Sequence, residues 1–392
     1  MKKSPLIPIF LIVAVDVMGF TVIFPILPFY AEIFNATPLL VGLLTSSYAL
    51  CQFLAGPLLG KISDRVGRKP VLLVSQIGTL TGFLIMATAG SLPLIFLARI
   101  LDGLTAGNLT VAQAYISDVT EPKHRTKAFG IIGVAFGLGF LIGPAAAGYL
   151  SQYDFHYPIY LAGGLSALSI LLTALLLPSH PPHAEPDAEQ GASGRLSIFQ
   201  WQHYVKYFRD RSTRRLLVQF LFFSMAFSMF MSGFALFSER RFDSDEHDFG
   251  AKQVGYYLAF AGLLGLILQG NLMGPLVKRF GEAKLVKAGF LTAAIGYALL
   301  SQVHPLWPLL ASFVFMSFGN GVLRPCISGQ LSQGVSKSEQ GVVIGLTQSL
   351  NSLSQIAGPI ISGVLIHHKL LPEWALVCAV ITFVGLASTR GK

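Results

Sequence analysis

The chain reads as an all-α membrane protein, with twelve transmembrane helices in two six-helix pseudo-symmetric bundles, and three observations carry that reading. Hydrophobic residues make up 53% of the 392 and charged residues only 12%, with a mean hydropathy of +0.63. That is too little charge to clothe a soluble surface of this size, so the solvent is lipid. The apolar residues fall into twelve runs, each long enough to cross a hydrocarbon core of about 30 Å. A charged stretch also recurs: Gly60-Lys61-Ile62-Ser63-Asp64-Arg65-Val66-Gly67-Arg68-Lys69-Pro70 lies between two apolar runs, and a weaker copy opens at Gly274.

In chain order the first six spans cover 6–30, 39–60, 70–90, 92–118, 126–149 and 156–177. Two lysines precede the first run, which continues for a full span without a small-residue cleavage site, so it is a membrane helix and not a removable signal. The connection opens with Pro178, Pro181, Pro182 and Pro186, which exclude a continuing helix. From Leu196 onward Phe199, Tyr204, Tyr207 and Phe208 share a face opposite Lys206, Arg209 and Arg211, the pattern of an interfacial amphipathic helix. Six further spans cover 214–238, 251–273, 283–303, 306–331, 341–366 and 371–388. The expected organisation is therefore an N-terminal bundle over 1–177, a cytoplasmic linker over 178–213 and a C-terminal bundle over 214–392.

The net charge of +9 raises nucleic-acid binding only until the charges are placed. Of 28 Lys and Arg, 22 fall on one side of the twelve spans, four on the other and two inside. This is the positive-inside asymmetry, and with Lys2, Lys3, Arg390 and Lys392 it puts both termini in the cytoplasm. The outer loops 91–93 and 304–305 contain no Lys or Arg. Cys51, Cys326 and Cys378 all lie in apolar segments and read as small core residues. His180 and His183 have i, i+3 spacing but no further ligand nearby, so no metal site is expected. Asn35-Ala36-Thr37 is a weak glycosylation match on the outer side.

The repeat extends into the spans. Gly130, Gly143-Pro144 and Gly148 of the fifth correspond to Gly345, Gly358-Pro359 and Gly363 of the eleventh. Two copies of a six-helix unit are the signature of an alternating-access transporter, whose halves rock about a midplane site.

Chemistry in the spans rests on a few polar residues. Asp16 lies near the middle of the first, where a charged, unpaired carboxylate costs several kcal/mol, so it is either suited to bind a proton in one state and lose it in another or is a permanently paired structural acid. Arg99, Asp102, Ala106, Thr110 and Gln113 share a face of the fourth, with Arg99 and Asp102 able to pair within a turn. That pair either tunes a protonation site or only holds the helix. Arg324 shares a face of the tenth with Asn320 and Ser328. No Asp or Glu lies in the seventh span before Glu239, in the tenth or in the eleventh. Arg324 therefore pairs with Asp16 or Asp102 across the halves, snorkels to an interface, or binds a substrate carboxylate or phosphate. Gln348, Asn351, Gln355 and Ser362 line one side of the eleventh, and the seventh carries Phe222, Phe223, Phe227 and Phe230 with Met225, Met229 and Met231, a compliant apolar wall.

With these residues in view, the whole chain resembles the twelve-helix drug:proton antiporters of the major facilitator superfamily, the group of the tetracycline pumps. Residues 60–70 match that family's G-x-x-x-D-R-x-G-R-[RK] loop signature at every fixed position. Asp16 with Pro25 and Pro28, Leu97-Ala98-Arg99 with Gly103 and Gly107, and Gly139 with Gly143-Pro144 add to the match, the last resembling the antiporter motif. The resemblance implies the major facilitator fold. The stretch itself either marks the cytoplasmic boundary or, with Arg65 as a member, forms a latch in which Gly60 and Gly67 permit close approach and a tight turn, Asp64 sits at the positive N-terminus of the eleventh helix, and Arg68 bridges Asp64 to Asp118. The resemblance implies that such a latch favours the outward-facing state. It also implies proton coupling at Asp16, with Arg99 and Asp102 as modulators. The tetracycline pumps carry further acids in their third and ninth helices, whereas 70–90 and 283–303 here have none, which argues against a tetracycline cation as substrate.

The expected function is a proton-coupled secondary active transporter, an antiporter that exports amphiphilic small molecules, with substrate contacts from Asn320, Arg324, Gln348, Asn351, Gln355, Gln113 and Phe223. The alternatives are a carrier of an anionic or zwitterionic metabolite or siderophore held by Arg324, and a receptor of the same fold that moves nothing. Neither a filter-like loop nor a nucleophile with its base is present, against a channel or an enzyme. No nucleotide loop or cofactor motif occurs, so a proton gradient is the expected energy source. The expected partners are substrate, protons and the bilayer of the cell membrane (the inner membrane in a Gram-negative cell), with no nucleic acid, and the chain is expected to act as a monomer.

Overall fold

Backbone N–H and C=O groups in hydrocarbon have no water to bond, so an apolar chain satisfies them within helices. In the computed structural model, which describes residues 6–120, 125–178, 207–242, 249–303, 306–335 and 339–390, every regular element is helical. Lys2, Lys3, Lys392, loop residues 304–305 and most of the 178–213 connection, with His180, His183 and the amphipathic stretch before Tyr207, lie outside the described residues. Seven helices come first: α1 (Leu6–Ile33), α2 (Pro38–Val66), α3 (Arg68–Ala87), α4 (Leu92–Thr105), α5 (Asn108–Val119), α6 (Arg125–Ser151) and α7 (His156–Leu176). Then follow α8 (Arg211–Phe242), α9 (Ala251–Ile267), a π-helical turn (Leu268–Leu272), α10 (Met273–Phe280), α11 (Glu282–Gln302), α12 (Leu306–Gln333), α13 (Gln340–His367) and α14 (Leu371–Ala387).

Eleven helical stretches among the described residues are long and apolar enough to cross a membrane, and α14 is a shorter apolar helix. Their outward faces are apolar: Leu54 is 60% exposed, Leu175 72% and Val380 59%. Such surface is stable against acyl chains and not against water.

The chain forms two compact units, one of residues 1–184 with 234–266, the other of residues 185–233 with 267–392. In the first, α1 packs against α6 and α7, and α3 against α4 and α7, around Ile9, Ile12, Val13, Val111, Tyr115 and Leu177. In the second, α11 packs on α12 and α14, around Leu217, Phe220, Leu285, Phe290, Leu323 and Ile327.

Four local expectations change. The charged stretch 60–70 is barely a loop, because α2 continues to Val66 and α3 starts at Arg68. The turn is one residue, Gly67, at φ 97°, where an L side chain would be strained. Gly281, its counterpart in the second copy, has φ 77°. Gly60 is helical, and a Cβ added there would meet nothing within 4 Å among the described residues, so none of them approaches it closely. The fourth span is broken at Ala106-Gly107 into α4 and α5, with Ala106 at φ −71°, ψ 64°. Gly107 has low helix propensity, and a Cβ there would sit 2.7 Å from the Ser75 hydroxyl oxygen. Arg99 and Asp102 therefore do not share one continuous helical face with Thr110 and Gln113. The eighth span runs past the expected 273 to Phe280, through the π-turn. Such turns insert an extra residue into the helical ladder.

Two helix starts are capped outside the spans. Asp210 Oδ2 accepts the Thr213 N–H at 2.7 Å and Asp154 Oδ1 that of His156 at 2.7 Å, and these bonds hold both carboxyls below the usual range. Thr37 caps α2, its hydroxyl accepting the Leu40 N–H at 3.4 Å, so the third residue of the glycosylation match is part of a helix start.

Glycines set the tightest helix seams. A Cβ on Gly139 would lie 2.6 Å from Val17 Cγ1 and one on Gly143 2.1 Å from Thr21 Oγ1, so the antiporter-like motif is the surface α6 presents to α1. Thr21 closes the seam by donating to the Gly139 carbonyl at 2.8 Å. In the second unit Gly358 approaches Ser228, and Ser362 donates to the Met229 carbonyl at 2.9 Å. On α9, a Cβ at Gly255 would fall 2.4 Å from the Pro144 carbonyl oxygen and 2.7 Å from Gly148 Cα, both backbone atoms that no rotamer change can move. Gly255→Ala is expected to destabilise the detergent-purified protein by about 1–3 kcal/mol. Gly265→Ala on the same helix meets nothing within 4 Å and is expected to be neutral or stabilising. Thermal unfolding of the two variants side by side checks this, and equal melting temperatures would refute it.

Candidate functional site

The helices of the first unit bring together polar groups that are far apart in the chain. Asp16 on α1 accepts from Gln76 Nε2 of α3 at 3.4 Å, and the same amide nitrogen donates to Ser169 Oγ of α7 at 2.8 Å. Gln76 Oε1 is buried and has no partner among the described residues. The amide nitrogen thus offers Asp16 a neutral donor. No cation pairs with Asp16 among the described residues.

Asp102 is treated differently. It and Arg99 are each 4% exposed, and Arg99 Nη1 contacts Asp102 Oδ2 at 2.9 Å. The guanidinium carbon also stands 4.1 Å over the centre of the Tyr48 ring of α2, a cation–π arrangement whose worth rises in a desolvated setting. Gln52 Nε2 donates to the Tyr48 hydroxyl at 3.3 Å. Arg99 Nε remains without an acceptor among the described residues, so the pair has one donor to spare.

Asp16 and Asp102 line one cavity of about 120 Å³, together with Tyr48, Gln52, Thr79 and Asn108 on its polar side and Phe20, Phe83 and Phe136 on its apolar side. At ~30 Å³ per water molecule the space suits a few waters or exchanging protons and is too small for a drug-sized molecule, which needs roughly 300 Å³ or more. The break between α4 and α5 matters here, since it lets Asp102 and Asn108 reach the same space from two helices.

At one end of the unit, Arg68 Nη1 lies 2.7 Å from Asp64 Oδ1 and its Nε 2.8 Å from Asp118 Oδ2, while Nη1 also donates to Ser63 Oγ at 2.7 Å. Arg68 therefore ties α2, α3 and α5 together in a charge-assisted fork. Gly67 supplies the turn that brings Arg68 back on α2, and Arg65, in the last turn of α2, stands outside the fork. At the opposite end Arg240 contacts Glu32 at 2.5 Å and Glu239 at 3.0 Å, joining the C-terminal ends of α1 and α8.

In the second unit Asn320, Arg324 and Ser328 lie along α12, and Asn320 Nδ2 donates to the Tyr297 hydroxyl at 3.3 Å. Arg324 and Gln348 are exposed, Asn351 and Gln355 half-buried. Phe223 is buried in the core of this unit, its ring 6.0 Å from that of Phe220 and stacked at 6.0 Å on that of Phe227, so it does not join the exposed polar residues. Gln113 is exposed on α5 and does not line the cavity.

Sequence reasoning singled out Asp16, Arg99 and Asp102 but missed Tyr48, Gln52, Gln76, Thr79, Asn108 and Ser169. The available signal was the same as for Asp16, a polar side chain within an apolar span. It lacked a charge to mark it. Among the described residues no group of three His, Cys, Asp or Glu could hold a metal.

The family model described as Major Facilitator Superfamily matches residues 9–272 and 270–389. The chain is 33% identical over 364 residues to the class C tetracycline resistance protein of Escherichia coli, covering 92% of this chain and 89% of that one. It is 27% identical over 365 residues to multidrug resistance protein 2 of Bacillus subtilis, covering 90% and 88%. Its fold is similar to that of the human organic anion transporter MFSD10, with a TM-score of 0.73 at 23% identity over 99% of both chains. The apolar helices, the repeated glycine turns and these likenesses over nearly the full length agree: the chain belongs to the Major Facilitator Superfamily, and it is a multi-pass membrane transporter and not an enzyme.

Proposed function

We propose that this transporter is a proton-coupled antiporter that exports amphiphilic small molecules by alternating access. The observation that carries the reading is the small cavity shared by two acids, of which Asp102 has Arg99 as counter-ion and Asp16 has only neutral hydrogen-bonding neighbours among the described residues. In a low-dielectric chamber a carboxylate with a cation beside it stays charged, whereas one with an amide beside it gains most from taking up a proton. Asp16 is thus the proton carrier, and Arg99 with Asp102 sets the field around it. The names of the relatives, a tetracycline resistance protein and a multidrug resistance protein, favour drug-like cargo moving outward. The missing acids in 70–90 and 283–303 argue against a tetracycline cation.

In this mechanism the two six-helix halves, 1–177 and 214–392, alternate about a midplane site with both termini in the cytoplasm, and a monomer suffices. The Asp64, Arg68 and Asp118 fork holds the cytoplasmic ends of its helices in one arrangement and releases them in the other. Protonation of Asp16 removes a charge from the chamber and so changes which arrangement is lower in free energy.

The test uses inverted membrane vesicles with an imposed pH gradient, challenged with cationic, zwitterionic and anionic amphiphiles. Collapse of the gradient on adding a compound, absent in Asp16→Asn, is the expected result. Saturable binding without any flux across the whole panel would instead assign a receptor.

A further inference from the structure

The second unit contains a charge that its own described residues do not neutralise. Arg324 lies on α12 roughly nine residues, or about 14 Å, before the helix ends at Gln333, beyond easy snorkelling reach. It is exposed, and it makes no hydrogen bond or ion pair among the described residues. Every described acid of the unit sits at a helix end: Asp210 caps α8, Glu282 opens α11 and holds Gln333, Glu339 accepts from Tyr207, and Glu373 is in the first turn of α14. A guanidinium at this depth is too costly to face acyl chains, so its exposed surface belongs to a polar space.

A second observation points to a ligand. On α13, which packs against α12, the side chains of Gln348, Asn351 and Gln355 are spaced i, i+3, i+7 and so share a helix face, and none makes a hydrogen bond among the described residues. Asn320, one turn from Arg324, commits one amide hydrogen to Tyr297 and keeps the other. Away from the helix ends, the described residues of the unit thus present one planar cation and several free amide donors, with no acid among them.

We infer that Arg324, supported by Asn320, Gln348, Asn351 and Gln355, is the recognition site for the carboxylate of an organic anion, so that the cargo carries one negative group. The inference rests on the transporter reading and names its substrate class. A guanidinium matches a carboxylate through two parallel N–H···O bonds, and one cation balances a monocarboxylate, whereas a phosphate dianion would leave a charge over. The amides provide further donors to the carboxylate or to other polar atoms of the cargo.

The test compares binding of 7-diethylaminocoumarin-3-carboxylate and its neutral ethyl ester to purified protein by fluorescence polarisation. The acid is expected to bind at least about tenfold more tightly than the ester, the scale of one charge-assisted contact. Arg324→Ala is expected to remove that preference, so that acid and ester bind alike, and Arg324→Lys to keep only part of it, with wild-type-like thermal unfolding showing that both variants are folded. Equal binding of acid and ester, an acid preference that survives Arg324→Ala, or no binding of either would overturn the proposal. Flux in inverted vesicles separates this from the transporter reading. A pH gradient discharged by cations alone, equally in wild type and Arg324→Ala, sinks the anion site and keeps the antiporter. Arg324-dependent binding of the acid with no flux of any compound keeps the site and sinks the antiporter.

Discussion

Asp16→Asn is expected to reduce gradient-driven transport by at least about 100-fold, the scale on which loss of an essential proton-transfer group is felt. Asparagine keeps the size of aspartate and an oxygen that accepts from Gln76, so the hydrogen bond now at 3.4 Å persists and the chamber keeps its shape. It cannot carry a proton. The variant should therefore fold as well as the wild type, or better, since a costly carboxylate within a membrane span is gone. It should still exchange labelled cargo for unlabelled cargo when no gradient is imposed, because that exchange needs no net proton movement. Uphill transport is what fails. Uptake against a gradient at the wild-type rate would show that the coupling proton resides elsewhere, with Asp102 the next group to test.

Arg99→Ala should produce the largest loss of stability. It strips Asp102, which is 4% exposed, of the cation beside it and removes the charge above the Tyr48 ring. Removing one partner of a buried pair costs about 3–5 kcal/mol, chiefly because the remaining charge is left unpaired. Adding Asp102→Asn should restore much of that loss, although the pair would then contribute nothing to transport. Thermal unfolding of the two single variants and the double variant gives the coupling directly. A double variant no more stable than Arg99→Ala would mean that the arginine stabilises through Tyr48 and packing, not through the acid.

Much of the architecture is legible in the sequence. Apolar length alone specifies a helix in lipid, because hydrocarbon leaves the backbone few alternatives. For that reason the spans 6–30, 70–90 and 156–177 and their helices α1, α3 and α7 correspond closely. Helix ends are less legible, since charges do not stop a helix once it leaves the hydrocarbon. The segment Lys61–Val66 therefore stays helical, and only Gly67, with its positive φ, ends it. The break at Ala106-Gly107 is hidden for another reason: glycine is common in membrane helices, and only packing shows that Ser75 and Leu59 leave no room for a side chain at this one.

The same division runs through the candidate site. Sequence by itself determined that Asp16, Arg99, Asp102 and Arg324 are the charges within the spans, because a charge in an apolar run is conspicuous and expensive. It also determined the local pairing of Arg99 with Asp102, which lie three residues apart on one helix. Tertiary structure decided which charges share a chamber. It placed Gln76 and Ser169 beside Asp16, set Tyr48 beneath Arg99, sent Phe223 into the core and left Arg324 with no partner among the described residues. Neutral polar side chains carry too little cost in a single helix to stand out, and their roles follow only from the neighbours that packing brings to them.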